Sequence, residues 1–160
     1  MAHWLVKSEP SAWSFADQVA AGEKGTSWNG VRNHGAKLNL MAMKVGEEAF
    51  FYHSNEGKAI VGIVAVTKPY YPDPTDESGR FGMVDVKAIR ALERPVTLET
   101  IKADKRLAKM ILVVNSRLSV QPVTADEWRA VLALARRRKT KGHKRLGLKR
   151  AAAVGHIAPI

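Results

Sequence analysis

The chain has 160 residues, of which 46% are hydrophobic, and it carries a formal net charge of +11 at pH 7. This length predicts one domain, or one domain with a tail, and the composition is that of a soluble globular protein. The chain has no cysteine, which excludes disulfides, thiol nucleophiles and cysteine-ligated metals and favours a reducing, cytoplasmic environment. No run approaches the ~20 apolar residues of a membrane span, and residues 1–10 lack the apolar core of a signal peptide.

The positive charge is concentrated towards the C-terminus. Residues 136–150 contain nine Lys or Arg and no acid, which leaves a net charge of +2 for the rest of the chain. We therefore expect a domain over residues 1–135 and a basic, flexible tail over residues 136–160. Such an arm is typical of contacts with nucleic-acid phosphates, a role assigned here to Arg136, Arg137, Arg138 and Lys139. The alternative is a solvated tail that only improves solubility.

The first elements are a strand and a short helix. Residues 3–7 are rich in aromatic and β-branched types and predict a strand, which Pro10 ends because it lacks an N–H donor. Ser14 and Asp17 form a capping pair that predicts a helix to about Ala21.

The next segment contains the main candidate for a binding site, a turn that follows Trp28. A short predicted strand over residues 26–28 leads to Trp28, and the turn dipeptide Asn29-Gly30 follows it. The next residues fit a short helix whose first turn contains Arg32, Asn33 and His34. An indole beside an amide, an Arg and helix N–H groups can stack on a planar ring and hydrogen-bond its edge. The alternative is that Trp28 belongs to the core and Asn29 caps a helix.

Strands and short helices alternate over the remaining sequence. Alternation and composition predict strands at residues 47–54, 59–67, 82–93 and 117–122, the second of them buried on both faces. A proline-rich rigid loop is expected at residues 69–74, and helical segments at residues 98–103, around 106–114 and after a capping box at 124–127. These patterns predict an α+β fold of about five or six strands in a mixed or antiparallel sheet, curled into a small barrel with short peripheral helices.

Five segments together resemble the EVE domain family. They are residues 4–10 (WLVKSEP), 28–33 (WNGVRN), 46–54 (GEEAFFYHS), 83–86 (MVDV) and 117–122 (RLSVQP), in the same order as in the family. The resemblance covers roughly residues 3–135 and leaves out the basic tail. It implies a PUA-like β-barrel related to YTH domains, which are readers of modified bases.

The resemblance also implies roles for individual residues. Trp28 would form one aromatic wall of a base pocket, and Phe81 would form the other, at a position where many EVE domains carry Trp. The polar edges of the base would be read by Lys7, Ser8, Glu9 and Asn29, with a floor made of Tyr52, His53 and Ser54. Phosphates or the rim would be held by Arg32, Asn33 and Arg117.

Two functional classes remain open at this point. The first is a non-catalytic module that binds DNA or RNA through a modified base, without cofactor or metal, in the cytoplasm, on a bacterial nucleoid or in a nucleus. The second is an amidohydrolase like some of the related ASCH domains, acting on a modified nucleoside with Lys7 as nucleophile or base and Glu9 as its partner. The sequence shows no ordered Ser-His-Asp set, metal-ligand spacing or phosphate-binding Gly loop, which favours the binding module.

Several of these residues also have plainly structural interpretations. Lys7 and Glu9 could be surface ions, Tyr52 a core residue and His53 a structural histidine. The three other tryptophans, Trp4, Trp13 and Trp128, are assigned to the core or to helix packing.

Overall fold

The structure is a computed structural model that describes residues 1–136. The predictions for Arg137, Arg138, Lys139 and the rest of the basic tail lie outside the described residues. Within residues 1–136, six strands form one sheet in the order β2-β5-β4-β3-β1-β6. They are β1 (His3–Ser8), β2 (Thr26–Ser27), β3 (Glu48–His53), β4 (Ala59–Pro72), β5 (Gly82–Thr97) and β6 (Val120–Val123).

The sheet is mixed, with β1 parallel to β3 and every other pairing antiparallel. The α+β class and the predicted strand count are confirmed. The sheet curls, but its edge strands β2 and β6 do not pair with each other in the described chain, so no closed barrel forms.

In the part of the chain that the structure describes, five short α-helices surround the sheet. They are α1 (Phe15–Ala20), α2 (His34–Ala42), α3 (Leu98–Ala103), α4 (Ile111–Val114) and α5 (Ala125–Ala135), with 3₁₀ turns at Gly22–Lys24 and Lys105–Leu107. The two predicted capping boxes are confirmed, since Ser14 with Asp17 begins α1 and Thr124 with Glu127 begins α5. In both, each side chain accepts a hydrogen bond from the other residue's backbone N–H, which supplies partners for otherwise unpaired donors at the helix start.

Three strands differ in extent from the sequence prediction. The edge strand predicted at residues 117–122 is β6, which begins only at Val120, because the preceding residues form a turn in which the N–H of Leu118 donates to the carbonyl of Asn115. Residues 69–72 belong to β4 rather than to a loop, and Pro95 lies inside β5. Register shifts separate Lys68 from Tyr71, and another shift spans Pro95, so each proline lies where the ladder is interrupted and needs no N–H donor from it.

Both faces of the sheet are buried. On one face Leu5, Phe50 and Ile63 pack with α3, α4 and α5. On the other face Val6, Phe51 and neighbouring side chains pack with α1 and α2. The prediction that residues 59–67 are buried on both sides is therefore confirmed for most of that strand.

Two of the tryptophans serve this core as predicted. Trp128 stacks on Phe50 with ring centroids 3.8 Å apart, and Trp4 donates its indole N–H to buried Glu47 at 2.9 Å. Gly62 is required by close packing, because a Cβ there would lie 2.3 Å from the ring of Phe15. Within residues 1–136, the helices are all too short or too polar to cross a bilayer.

Candidate functional site

A cleft of about 560 Å³ lies at the carboxyl end of β1. Its lining comes from the end of β1, from the turn before α1, from residues 26–32 and from Ser119 in the loop before β6. The charged side chains that line it are Lys7 and Arg32, and no acidic residue of the described chain is among the lining residues. The charged lining residues are therefore basic, and the rest of the wall is polar and aromatic.

Trp13 packs against the core cluster of Val6 and Phe51, as assigned, and it also forms part of this wall. Its half-buried indole lines the cleft and donates its N–H to the Oε1 atom of Gln18 at 2.8 Å. Gln18 is fully buried and donates in turn to the carbonyl of Val86 at 3.3 Å. The Ser8 hydroxyl donates to the backbone carbonyl of Trp13 at 2.6 Å. Hydrogen bonds at both the backbone and the ring thus hold the indole in place.

Trp28 combines the two roles that the sequence left open. Its side chain is only 7% exposed and meets Phe51 edge to face at 5.4 Å, and it also lines the cleft. The turn after it leaves Asn29 exposed and puts Gly30 at φ 83°, a conformation that favours glycine.

Asn29 is not the cap of α2, and Arg32 and Asn33 precede that helix rather than lying in its first turn. The cap is Asn33, whose side chain accepts from the N–H of Ala36 at 2.9 Å. This capping bond uses the side-chain oxygen of Asn33, whereas a phosphate would be bound by its side-chain NH₂ group, so the predicted phosphate contact of Asn33 stays a prediction.

A buried carboxylate, Asp73, joins the corner to the loop after β4. Its Oδ2 accepts from the N–H of Gly30 at 2.8 Å and from Arg32 at 3.1 Å, and its Oδ1 accepts from the N–H and the hydroxyl of Thr75. Burial alone would raise the pKa of Asp73, but the hydrogen bonds from Thr75, Gly30 and Arg32 outweigh it and lower the pKa to about 2. Asp73 is therefore ionised at any pH near neutrality.

Lys7 and Glu9 do not form the pair that the amidohydrolase alternative requires. Burial lowers the pKa of Lys7, whose Nζ donates to the carbonyl of Ser116 at 2.5 Å. Glu9 is exposed and is not among the residues that line the cleft. Within residues 1–136, no ion pair joins the two side chains.

Phe81, the expected second wall, lies outside the cleft lining. It is 8% exposed, its ring centroid is 5.1 Å from that of His34, and the cationic groups of Arg32 and Lys37 lie 5.9 and 5.8 Å from it. The structure thus places Phe81 under a basic surface beside the start of α2.

The three residues expected to form the floor lie behind the cleft. Tyr52 is buried in the core cluster of Leu5 and Phe50, on the opposite face of the sheet from Phe51. The Nε2 atom of His53 accepts from the N–H of Phe15 at 3.1 Å, and burial lowers the pKa of His53. The N–H of Ser54 donates to the carbonyl of Ser8 at 2.9 Å. They support the cleft-lining segments without lining the cleft themselves.

The remaining predicted cations are at the surface. Arg117 is exposed in the loop before β6, one residue after the carbonyl that binds Lys7, and Arg136 is exposed at the end of α5. In the described part of the chain, no group of three or more His, Cys, Asp or Glu residues could hold a metal ion.

Comparison with known proteins identifies the family. The family model of the EVE domain matches residues 2–134. This chain belongs to the EVE domain family. Human thymocyte nuclear protein 1 is 36% identical over 164 residues, a match that covers 82% of this chain and 73% of the human protein.

Solved structures of related proteins share this architecture. A protein from Rhodopseudomonas palustris, solved by NMR, is 55% identical with a TM-score of 0.81, covering 89% of this chain and all of the other. The crystal structure of human THYN1 in complex with DNA containing 5-methylcytosine is 35% identical with a TM-score of 0.81, covering 86% and 99%.

The fold is also similar to that of a more distant YTH domain. The YTH domain of Zygosaccharomyces rouxii MRB1, in complex with N6-methyladenosine RNA, is 18% identical with a TM-score of 0.56, covering 91% of this chain and 90% of the other. At this identity the likeness concerns the fold alone.

Two residues at this site are absent from the site residues predicted from the sequence: Trp13, which lines the cleft, and Asp73, which lies next to it. Trp13 gave no local signal, because only its exposure and its bond to Gln18 distinguish it from a core residue. Asp73 did carry a signal, since an Asp two residues before a Thr is typical of a turn in which the carboxylate accepts local N–H bonds. Its partner Gly30 lies 43 residues away along the chain, so the contact itself had no local signal.

Proposed function

We propose that this EVE domain is a non-catalytic module that binds nucleic acid by holding one modified base in the cleft at the end of β1. The observation that carries the proposal is the lining of that cleft, where two indoles, an exposed amide and two cations meet without an acid among the described lining residues. The complex of the related human THYN1 with 5-methylcytosine DNA supports it.

The aromatic part of the proposed site consists of Trp13 and Trp28. Base stacking on an aromatic side chain contributes roughly 1–3 kcal/mol per base, irrespective of sequence. Trp13 is half-buried and fixed by Gln18, whereas Trp28 is almost fully buried and fixed by Phe51. Rigid rings lose little conformational entropy on binding, so this pair favours a flat ligand. A base inside a duplex must first be extruded to reach the cleft, whereas a single-stranded base need not be.

The polar part of the proposed site reads the edge of the base. Asn29 offers both donors and an acceptor, and Lys7 and the Ser8 hydroxyl line the same cleft. Edge contacts of this kind specify a base, whereas phosphate contacts position the strand. We assign the phosphates to Arg117 and to the basic segment that begins at Arg136.

A binding panel tests the proposal. Fluorescence anisotropy would compare matched DNA with and without 5-methylcytosine, and matched RNA with and without N6-methyladenosine, for the wild type and Trp13→Ala. Loss of the stacking wall should weaken binding of the preferred modified strand by roughly 1–3 kcal/mol, or about 5- to 150-fold.

Tyr70→Ala is the matched control. Tyr70 is also a half-buried ring packed against the core cluster of Val6 and Phe51, but it does not line the cleft. This control should keep the wild-type affinity and preference. A folded Trp13→Ala protein that binds the modified strand with the affinity of the wild type would refute the assigned site.

A further inference from the structure

Asp73 lies next to the cleft and touches two of its lining residues, yet the proposed function gives it no role. Its side chain has no exposed surface, and it accepts four hydrogen bonds from Gly30, Arg32 and Thr75. The loop that carries it is itself fixed, because Asp76 accepts from the N–H of Phe81 at 2.7 Å. Asp73 is therefore a rigid anchor rather than a mobile surface acid.

The first group that Asp73 holds is the turn that presents Asn29. The N–H of Trp28 donates to the carbonyl of Val84 at 2.7 Å, and the N–H of Gly30 donates to Asp73 at 2.8 Å. These two bonds fix the backbone on either side of Asn29. The exposed amide of Asn29 is thus positioned by a carboxylate from another part of the chain.

The second group that Asp73 holds is the guanidinium of Arg32. This cation pairs with Asp73 at 3.1 Å and donates to the Thr75 hydroxyl at 3.0 Å, while its side chain remains 39% exposed. A guanidinium that pairs with a carboxylate attracts phosphate less strongly than an unpaired one. Asp73 therefore reduces the sequence-independent attraction of the cleft for the nucleic-acid backbone.

We infer that Asp73 is a specificity-determining positioning residue of the base site: it fixes the turn that presents Asn29 and restrains the charge of Arg32. The inference rests on the proposed function and deepens it. A merely structural role for Asp73 would lower binding of every strand alike. The inferred role lowers binding of the modified strand relative to the unmodified one and strengthens the attraction for phosphate.

Asp73→Asn tests the inference, because it removes the negative charge and keeps the shape. Affinities of the full-length chain for 5-methylcytosine DNA and for its unmodified match would be measured over a range of salt concentrations. The preference ratio should fall about fivefold, the value of one misplaced hydrogen bond of about 1 kcal/mol. Binding of the unmodified duplex should tighten, with a slope of log K against log salt that is steeper by about 0.9 for one additional phosphate contact.

Asp104→Asn is the matched control. Asp104 also pairs with an arginine, Arg106, and caps a 3₁₀ turn, so its variant has the same change in net charge at a place outside the cleft lining. It should leave the preference ratio and the salt slope unchanged.

The outcomes separate the two claims. A wild type that shows no preference for the modified strand overturns the proposed function and this inference with it. The inference alone is overturned if the wild type prefers the modified strand and a folded Asp73→Asn variant keeps both the preference ratio and the slope of log K against log salt. If circular dichroism shows that Asp73→Asn is unfolded, Thr75→Val decides, because it removes the hydroxyl shared by Asp73 and Arg32. A lowered ratio in that variant supports the inference, and an unchanged ratio overturns it.

Discussion

Acid should unfold this domain partly through Asp73. The hydrogen bonds to its buried carboxylate lower the pKa from about 3.8 to about 2 in the folded state. One pKa unit corresponds to about 1.36 kcal/mol, so the ionised carboxylate contributes roughly 2.5 kcal/mol to the free energy of unfolding. Because the folded pKa is the lower one, this stability is fully present above about pH 4 and is lost as the pH falls from about 4 to about 2.

Asp73→Asn removes the titration and so isolates the effect. Urea unfolding followed by tryptophan fluorescence at several pH values between 7 and 3 gives the free energy of unfolding of both proteins. At pH 7 the wild type should be more stable by roughly 2–3 kcal/mol, and the gap should narrow as the pH falls below about 4.

The control for this experiment is Asp126→Asn. Asp126 is an exposed residue of α5 paired with Arg129, so its loss should cost no more than about 0.5 kcal/mol. The reasoning would be refuted if the difference in the free energy of unfolding between the wild type and Asp73→Asn stayed constant from pH 7 to pH 3. Equal stability of the two proteins at pH 7 would also refute it.

Three further predictions concern the core, the tail and the enzyme alternative. Trp28→Ala should lower the free energy of unfolding by about 3–5 kcal/mol, because Trp28 is only 7% exposed. Urea unfolding should show a lower midpoint, and a midpoint equal to that of the wild type would contradict the core role of Trp28. Deleting residues 136–160 should reduce the affinity for duplex DNA and flatten its salt dependence by several units of slope, while the preference for the modified base persists; an unchanged slope would show that the nine cations of this segment only improve solubility. Acylated nucleosides incubated with the wild type should remain intact, because Glu9 does not line the cleft that contains Lys7; acyl release that disappears in Glu9→Gln would reinstate the amidohydrolase.

Local signals in the sequence predicted the element starts well. Ser14 and Thr124 begin helices because each is followed three residues later by an acid that completes a capping box, a purely local interaction. Strand lengths were predicted less well. The sequence predicts a loop at Pro69 and a strand that ends at residue 93, before Pro95, but the register shifts that accommodate both prolines depend on the partner strand and leave no local signal.

Only the part of the site that is continuous in sequence could be predicted. The corner of Trp28 and Asn29 is continuous in sequence and was identified as a candidate, and the structure places it in the cleft with Lys7 and Ser8. Trp13 and Asp73 come from other segments of the chain and meet this corner only in the folded structure, so the sequence gives no signal for their contacts with it. Conversely, Phe81 was assigned by resemblance alone, and the structure places it on a basic surface away from the cleft lining.

The most direct test of the central claim uses the four tryptophans as internal reporters. Indole N–H signals in ¹⁵N-correlated NMR spectra would be followed while 5-methylcytosine DNA, and then its unmodified match, is added. Trp13 and Trp28 line the cleft, whereas Trp4 and Trp128 are buried elsewhere in the core. We expect the signals of Trp13 and Trp28 to shift strongly with the modified strand and weakly with its match, while the other two stay in place. Tight binding of the modified strand with the Trp13 and Trp28 signals unmoved would contradict the proposal that the base occupies this cleft.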